Sequence, residues 1–510
     1  MKQLLFTLLF IIVSIYQSLA QGRTVITEVN YQDSVFKTEL KLDSIDFKCF
    51  VNFSWKRIAS IAYFNGSNFL EGADFYNTQF DSLVDFSPSY FNIVDFSKVK
   101  FKKVNFYDAR FDNNAYFKQT QFRSSTNFDN TRFDSTVDFS KSHFLDTVTF
   151  SNAQFYDNAT FLNNQFHKTS NYLNSQFGKI ALFKGTIFLE KVNFQDAKFG
   201  LFADFSGVNF HDKVDFQKTI FGSTANFYKA VFKGETIFEY SILPNIISFK
   251  KARTRYIIDL SLTRLDSAKT ECLIDLSYTN ISKFKFNYSH NFKLYTSLDT
   301  STYELGLEEL DLEKRATEVE AMYEQLMQMQ KNYGYNKGYA KADKELQEYL
   351  YTTSAQITWE KYAWYNPLRY GLWAWHMGWN LINKFWWDYG YNKTQIFLCS
   401  FVIFLMFCTI NTLLAWYSKI DSIYQVDSIK PRSKNDITNH NYIYYIKQIT
   451  LCFYDASIYT GLIFFGIKVD TEKVNYDNHI GAIYLYIQYT IGLVCLAYMT
   501  NAIIIGPKIL

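Results

Sequence analysis

Residues 111–144 read FDNNAYFKQTQFRSSTNFDNTRFDSTVDFSKSHF, and phenylalanine recurs in this stretch at alternating steps of six and five residues. The same phase extends backwards to Phe36 and forwards to Phe238, with one run of five-residue steps between Phe86 and Phe111. An 11-residue period fits neither the 3.6-residue period of a helix nor the alternation of a flat strand. Self-similarity at a fixed period over this length predicts a solenoid of stacked repeats.

Each repeat combines a small or β-branched residue, a short polar residue and an aromatic residue. Ala73-Asp74-Phe75, Ala203-Asp204-Phe205 and Ala225-Asn226-Phe227 show the pattern literally. Asp and Asn suit turns because their side chains hydrogen-bond to nearby backbone. We therefore interpret the recurring Asp column as turn structure rather than as calcium ligands, since no set of residues approaches a calcium-binding loop.

These units resemble the pentapeptide-repeat family, whose repeats read Ala-Asp/Asn-Leu/Phe followed by two variable residues. The resemblance implies a mainly β fold, a right-handed quadrilateral β-helix with four units to a coil, followed here by a helical linker and α-helical transmembrane segments. The extra residue in every second unit predicts coils of about 22 residues with bulged corners. The repeat-core residues are predicted to be Phe64, Phe75, Phe86, Phe128, Phe139, Phe150, Phe161, Phe194, Phe205, Phe216 and Phe227.

The charge balance argues against a nucleic-acid partner. The chain of 510 residues has 52 basic and 49 acidic residues, and the stretch from Phe64 to Tyr240 is nearly neutral. Some pentapeptide-repeat proteins mimic DNA, but that role needs a strong field of one sign. The seven histidines show no metal-ligand spacing, and no glycine-rich phosphate loop follows a strand. We expect no enzyme activity, no catalytic residue, no bound metal and no cofactor.

Both ends of the chain indicate export and membrane insertion. Residues 1–20 have a basic start, an apolar run from Leu4 to Tyr16 and small residues at Ser18 and Ala20, as in a cleaved signal peptide; an uncleaved anchor is the alternative. Ile396 to Tyr417 and Ile480 to Ile505 carry no charge and are long enough to span a bilayer. We expect a multi-pass protein of a bacterial inner membrane, with the β-helix on its extracytoplasmic, periplasmic side.

Helical segments connect the repeats to these spans. Leu312, Ala316, Val319, Tyr323 and Leu326 recur at helical spacing and begin a predicted amphipathic hairpin. Seven of the nine tryptophans lie between Trp359 and Trp387, which indicates a segment at the membrane–water interface. The predicted organisation is a signal peptide at 1–20, a β-helix at 21–300 (regular over 36–241, irregular over 242–300), the hairpin at 301–355, the tryptophan-rich segment at 356–394, a transmembrane helix at 395–417, a loop at 418–448, a third apolar segment at 449–468 and a transmembrane helix at 479–505.

The third apolar segment leaves two functions open. Two spans around a shorter apolar stretch resemble the two-helix pore-loop ion-channel domain, in which backbone carbonyls of a Thr-Val-Gly-Tyr-Gly filter coordinate the ion. Phe464-Phe465-Gly466-Ile467-Lys468 occupies the comparable place, with lysine at the second filter glycine. The candidate pore-loop residues are Asp455, Thr460, Gly461 and Gly466.

Topology weighs against a channel. Pore loops enter the membrane from outside, whereas a cleaved signal peptide would place the loop between the two spans in the cytoplasm. The lysines and arginine of that loop agree with a cytoplasmic location. The segment from Ile449 to Ile467 is left to span, re-enter or pack.

The favoured hypothesis is a membrane-anchored binding or scaffolding surface that contacts membrane lipid and a protein partner on the β-helix. The alternative is a channel-like protein that oligomerises and uses the β-helix as its sensor or regulatory domain.

Overall fold

The computed structural model describes residues 16–17, 23–28, 35–266, 271–289, 291–295, 312–416, 442–466 and 479–504. The chain divides into two compact units, Met1–Ala342 and Asp343–Leu510. The predicted signal peptide lies, apart from residues 16–17, outside the described residues, as does the stretch from Ile467 to Asn478. The first unit is a parallel β-solenoid over residues 24–294, which confirms the predicted fold class.

The solenoid has four faces, numbered in chain order within a coil. Face 1 is formed by Val35–Phe36, Arg57–Ile58, Gln121–Phe122, His143–Phe144, Gln165–Phe166, Ile187–Phe188, Asn209–Phe210, Val231–Phe232 and Arg253–Thr254. Face 2 is formed by Leu40–Lys41, Ala62–Tyr63, Thr126–Asn127, Val148–Thr149, Ser170–Asn171, Val192–Asn193, Val214–Asp215, Thr236–Ile237, Ile258–Asp259 and Phe284–Lys285. Two longer strands, Gln79–Asp85 and Lys100–Asn105, run round the corner and contribute to both faces.

The other two faces are separate sheets. Face 3 is formed by Tyr16–Gln17, Thr24–Ile26, Ile45–Phe47, Asn68–Phe69, Tyr90–Phe91, Arg110–Phe111, Arg132–Phe133, Gln154–Phe155, Gln176–Phe177, Lys198–Phe199, Ile220–Phe221, Ile242–Leu243 and Arg264–Leu265. Face 4 is formed by Val51–Asn52, Ala73–Asp74, Val94–Asp95, Ala115–Tyr116, Val137–Asp138, Ala159–Thr160, Ile180–Leu182, Phe202–Asp204, Thr224–Asn226, Ile246–Ser248, Cys272–Asp275 and Phe292–Leu294. All pairs in the solenoid are parallel except the first pair of face 3, which is antiparallel.

The strand register confirms the predicted coil length. Val137 pairs with Ala159, and Ala159 with Ala181, so one coil takes 22 residues. Where the sequence advances in steps of five, Val84 pairs with Val104 and the coil shortens to 20 residues. The coils become irregular after residue 244, as predicted, since Ile246 pairs with Leu273 across 27 residues.

Every second inward aromatic residue begins a tight turn. Phe150, for example, accepts a hydrogen bond from the backbone N–H of Ala153 (3.0 Å), and the intervening Asn152 has a positive φ of 57°. Asn, Asp and Gly adopt such backbone angles more easily than other residues. The preceding Asp or Asn accepts from the backbone N–H two residues on, as Asp138 does from Ser140 (2.8 Å). The Asp column is therefore turn structure, as the sequence analysis interpreted it.

The interior is a set of stacked aromatic columns. Rings one coil apart lie 4.5 to 5.5 Å apart, centroid to centroid, and nearly parallel, as in Phe122–Phe144 and Phe101–Phe122. All eleven predicted core phenylalanines are completely buried. Buried serine and threonine hydroxyls join adjacent coils beside them, for example Thr120 Oγ1, which donates to Phe96 O (2.7 Å).

Tyr172 occupies one phenylalanine position in these columns, and we expect Tyr172→Phe to stabilise the solenoid. Its ring is fully buried between Phe150 and Phe194, and its hydroxyl has no hydrogen-bond partner. A buried polar group without a partner costs about 1–3 kcal/mol, so its removal should raise the thermal midpoint measured by far-UV circular dichroism. The matched control is Phe194→Tyr in the next coil, which should lower the midpoint. Equal midpoints for both variants would contradict the prediction.

Helix α1 (Leu312–Asn332) covers the last coil of the solenoid through one glutamine side chain. Gln330 is completely buried; its Nε2 donates to Phe286 O (2.8 Å), and its Oε1 accepts from Tyr288 N (3.1 Å). The side-chain amide thus makes the pair of hydrogen bonds that another strand would make. The short 3₁₀-helix Ile281–Lys283 also contacts α1. Gly334, with φ of 70°, follows the end of α1, at the predicted stop.

The remaining helices follow the predicted order. Helix α2 is Asn336–Lys361, α3 is Pro367–Trp386, α4 is Lys393–Trp416, α5 is Tyr442–Phe464 and α6 is His479–Ile504, and the 3₁₀-helix Asp388–Gly390 lies between α3 and α4. Two apolar stretches, Lys393–Leu414 and His479–Ile503, are long and apolar enough to cross a membrane. They coincide with the two predicted spans to within a few residues.

Candidate functional site

The exposed side of helix α3 is its apolar side, which reverses the usual arrangement. Trp373, Trp375 and Trp379 are between 38% and 64% exposed, whereas Asn380 and Asn383 are buried. Asn366 caps the helix by accepting from the backbone N–H of Leu368 (3.0 Å). A helix that turns tryptophan outward and asparagine inward presents an apolar surface to whatever covers the protein there.

Polar contacts hold the inner side of α3 within the second unit. Asn383 Oδ1 accepts from Trp387 Nε1 (2.8 Å), and Lys384 forms an ion pair with Glu348 of α2 (2.6 Å). The Tyr389 hydroxyl donates to Asn380 Oδ1 (2.5 Å), and burial, together with the nearby Glu348 charge, raises the pKa of Tyr389 to about 12. Its hydroxyl therefore remains a donor at neutral pH.

Helices α4, α5 and α6 pack together, with α5 placed at half depth. Phe464, the last residue of α5, contacts Phe407 of α4 (ring centroids 6.1 Å apart) and lies against Gly492 of α6. At the far end of α4, Lys393 Nζ donates to Ala502 O of α6 (3.0 Å). A rise of 1.5 Å per residue places the end of α5 about 15–21 Å short of that level. Helix α5 therefore ends near the middle of the α4–α6 pair, antiparallel to α4.

A buried polar cluster joins these three helices at the level where they meet. It consists of Asn411 on α4, Thr460 on α5, and Tyr484 and Gln488 on α6. Asn411 Nδ2 donates to Thr460 Oγ1 (2.8 Å) and to Gln488 Oε1 (3.2 Å), and Asn411 Oδ1 accepts from the Tyr484 hydroxyl (2.7 Å). Asn411, Thr460 and Gln488 are completely buried. Such bonds fix the rotation and depth of apolar helices relative to each other.

The structure brings only one candidate pore-loop residue into this polar cluster. Thr460 belongs to it; Asp455, half-exposed, lies two turns earlier on α5, level with the end of α4. Gly461 is helical, and its carbonyl accepts from Phe465 N (3.1 Å), so it is not free to bind an ion. Gly466 follows the helix with φ of 66°. An extended filter could start only after Phe464, and Ile467 and Lys468 lie outside the described residues.

Sequence reasoning missed Asn411, Tyr484 and Gln488. Their partners are 49 to 77 residues away in sequence, so no local spacing joins them. The available signal was their character alone, because an amide in an uncharged apolar helix needs a partner.

The described residues contain no group of three or more His, Cys, Asp or Glu side chains that could hold a metal ion. The polar surface of the solenoid is instead a set of ladders of like residues, such as Asn130, Asn152 and Asn174, whose amides bond from coil to coil. The surface chemistry that the structure shows is recognition by hydrogen bonds and charge.

The geometry of the first unit defines a class of protein, the parallel β-solenoid with four faces. Its repeats are pentapeptide repeats: the family model of that description matches residues 96–143, 173–220 and 203–242, with nine copies. This match confirms the resemblance given by the sequence. No curated protein sequence matches the chain.

Proposed function

We propose that the chain is a non-enzymatic, multi-pass membrane protein whose solenoid acts as a binding or scaffolding surface outside the cytoplasm. One observation carries the anchoring: only 28% and 33% of the apolar windows of α4 and α6 are buried within the chain. A core helix of a soluble protein would be covered by protein, so lipid is the cover that fits.

Helix α3 supports the same assignment. Indole rings favour the headgroup level of a bilayer, and the exposed tryptophans of α3 come a few residues before α4. The orientation rests on the sequence: the expected signal peptide exports the solenoid, and Lys419, Lys430, Arg432 and Lys434 between α4 and α5 favour a cytoplasmic loop.

Topology reporters test this proposal. Alkaline phosphatase, which is active outside the cytoplasm, and green fluorescent protein, which is fluorescent inside, would each be fused after Tyr295 and after His440. We expect phosphatase activity from the first fusion point and fluorescence from the second. Phosphatase activity after His440 would overturn the orientation, and release of the full chain from membranes by alkaline carbonate would overturn the anchoring.

The half-depth end of α5 favours a second candidate function, a pore-loop channel. In that architecture a short helix runs antiparallel to the first span, ends in mid-membrane and leads into the filter. Helix α5 has this direction and this end point, and Gly466 follows it with a positive φ. The channel reading requires the opposite orientation, so the reporter fused after His440 also separates the two candidates.

Ion flux from vesicles containing the full chain tests the channel directly, with a matched pair of variants. Gly466→Ala places a side chain at a positive φ, whereas a Cβ at Gly461 meets no atom within 4 Å. If the chain conducts, we expect Gly466→Ala to reduce flux at least about tenfold and Gly461→Ala to leave it unchanged. Absence of flux from the unaltered chain would remove the channel candidate.

A further inference from the structure

The turns of the solenoid place opposite charges on two diagonally opposite edges. We define the lysine edge as the two turn residues that follow the inward aromatic or leucine residue after face 4, and the acidic edge as the equivalent two residues after face 2. The two edges are separated by two faces in either direction round the coil, so they lie on a diagonal. Each coil contributes one turn to each edge.

The lysine edge has seven lysines and no acidic residue at its turn positions over residues 54–278. These lysines are Lys98, Lys118, Lys141, Lys184, Lys229, Lys250 and Lys251. Within the described residues, only Lys118 among the seven forms an ion pair, with Asp138 (3.1 Å). A hydrogen bond from Lys229 and the charges of Lys229, Lys251 and Lys250 hold the pKa of Tyr228 below its ordinary value, which agrees with a positive potential along this edge.

The acidic edge has five acidic residues and one lysine at its turn positions over residues 43–262. The charged residues are Asp43, Asp108, Asp129, Asp196, Lys218 and Glu239. The sign survives when the strand residue before each inward side chain is included. The lysine edge then has seven lysines against five acids, and the acidic edge has eight acids against two lysines.

We propose that the solenoid associates laterally with further copies of this chain, the lysine edge of one copy against the acidic edge of the next. Both edges repeat once per coil, and the coils of both copies have the same spacing, so the charged turns of parallel copies meet in register. Charges at such an edge are worth less than about 1 kcal/mol per pair, and screening acts over about 8 Å at physiological ionic strength. The association is therefore weak per turn, additive along the edge and sensitive to salt.

The diagonal placement also defines the kind of assembly. Two different edges meet, so the interface is heterologous rather than a twofold pair. Because each copy keeps one unused edge on the far side, copies add in rows instead of closing as dimers.

Charge reversal on the full chain in detergent tests this inference by sedimentation velocity. The lysine triple is Lys98→Glu, Lys118→Glu and Lys141→Glu, and the acidic triple is Asp108→Lys, Asp129→Lys and Asp196→Lys. We expect each triple alone to weaken self-association about tenfold at low salt, and the two combined to restore it to within about threefold of the unaltered chain. High salt should abolish the difference.

The matched control is Lys102→Glu, Lys103→Glu and Arg123→Glu, three exposed cations at the corner between faces 1 and 2, with the same change of charge. This control should leave association unchanged, and far-UV circular dichroism should confirm that all variants fold. Failure of the combined variant to restore association, or the absence of self-association in the unaltered chain, would overturn the inference. Loss with the lysine triple alone would show that the lysine edge binds a different anion, and would also overturn it.

Discussion

Phe150→Ala should remove about 3–5 kcal/mol from the free energy of unfolding of the solenoid, as truncation of a large buried aromatic side chain does elsewhere. Phe150 is completely buried and stacks on Phe128 (4.8 Å) and Tyr172 (5.0 Å). It also makes edge contacts with Phe139 and Phe161. The rings above and below are fixed by the backbone ladder, so they cannot collapse into the space, and the full cavity cost remains.

Urea unfolding followed by far-UV circular dichroism measures this effect, with Leu145→Ala as control. Leu145 lies in the same coil but is 41% exposed, so its truncation should change the free energy by less than about 0.5 kcal/mol. Since each coil contacts only its neighbours, Phe150→Ala should also separate the unfolding of the coils on either side of it. Coincident curves for the two variants would contradict an aromatic column as the main support of the fold.

Gly492→Val should displace the end of α5 from the α4–α6 pair. A Cβ at Gly492 would lie 1.8 Å from the carbonyl oxygen of Phe464, a backbone atom that no side-chain rotation can move away. Overpacking of this kind costs about 1–3 kcal/mol or more. The thermal midpoint of the second unit should fall, and Thr460 should move away from Asn411, to which it is now hydrogen-bonded at 2.8 Å.

Disulfide trapping reports on that movement. Cysteines placed at positions 411 and 460 should form a cross-link in an otherwise unaltered chain, detected by mass spectrometry of the joined peptides, and should lose it when Gly492→Val is added. Gly461→Val introduces the same side chain on α5 where a Cβ meets no atom within 4 Å, and should leave the cross-link intact. An undiminished cross-link with Gly492→Val would refute the close packing of α5 on α6.

The sequence predicted most of the solenoid because every coil repeats the same local choice. The step from Phe111 to Phe117 already contains the burial, turn and spacing information that all later coils reuse. The uncharged runs likewise located α4 and α6, because length and hydropathy alone specify a candidate span. Local pattern was sufficient wherever the structure is itself local.

The features that escaped prediction depend on contacts between distant residues. Hydropathy located the apolar part of α5 but could not show that it ends beside Phe407 and Gly492, since that depth is set by packing. The opposite charges of the two edges were hidden in a nearly neutral total, because a sum over the rod discards the face on which each charge lies. The re-entrant and pore-loop assignments at Gly466 stay predictions.

The amide of Gln330 has a consequence for how the protein avoids polymerising. An open last rung would expose unpaired N–H and C=O groups to any free strand edge, which is the geometry of fibril growth. Because one glutamine side chain occupies the groups at Phe286 and Tyr288, the stack has a defined terminus. A chain that lost this single stopper would keep every coil intact and yet become a template for elongation.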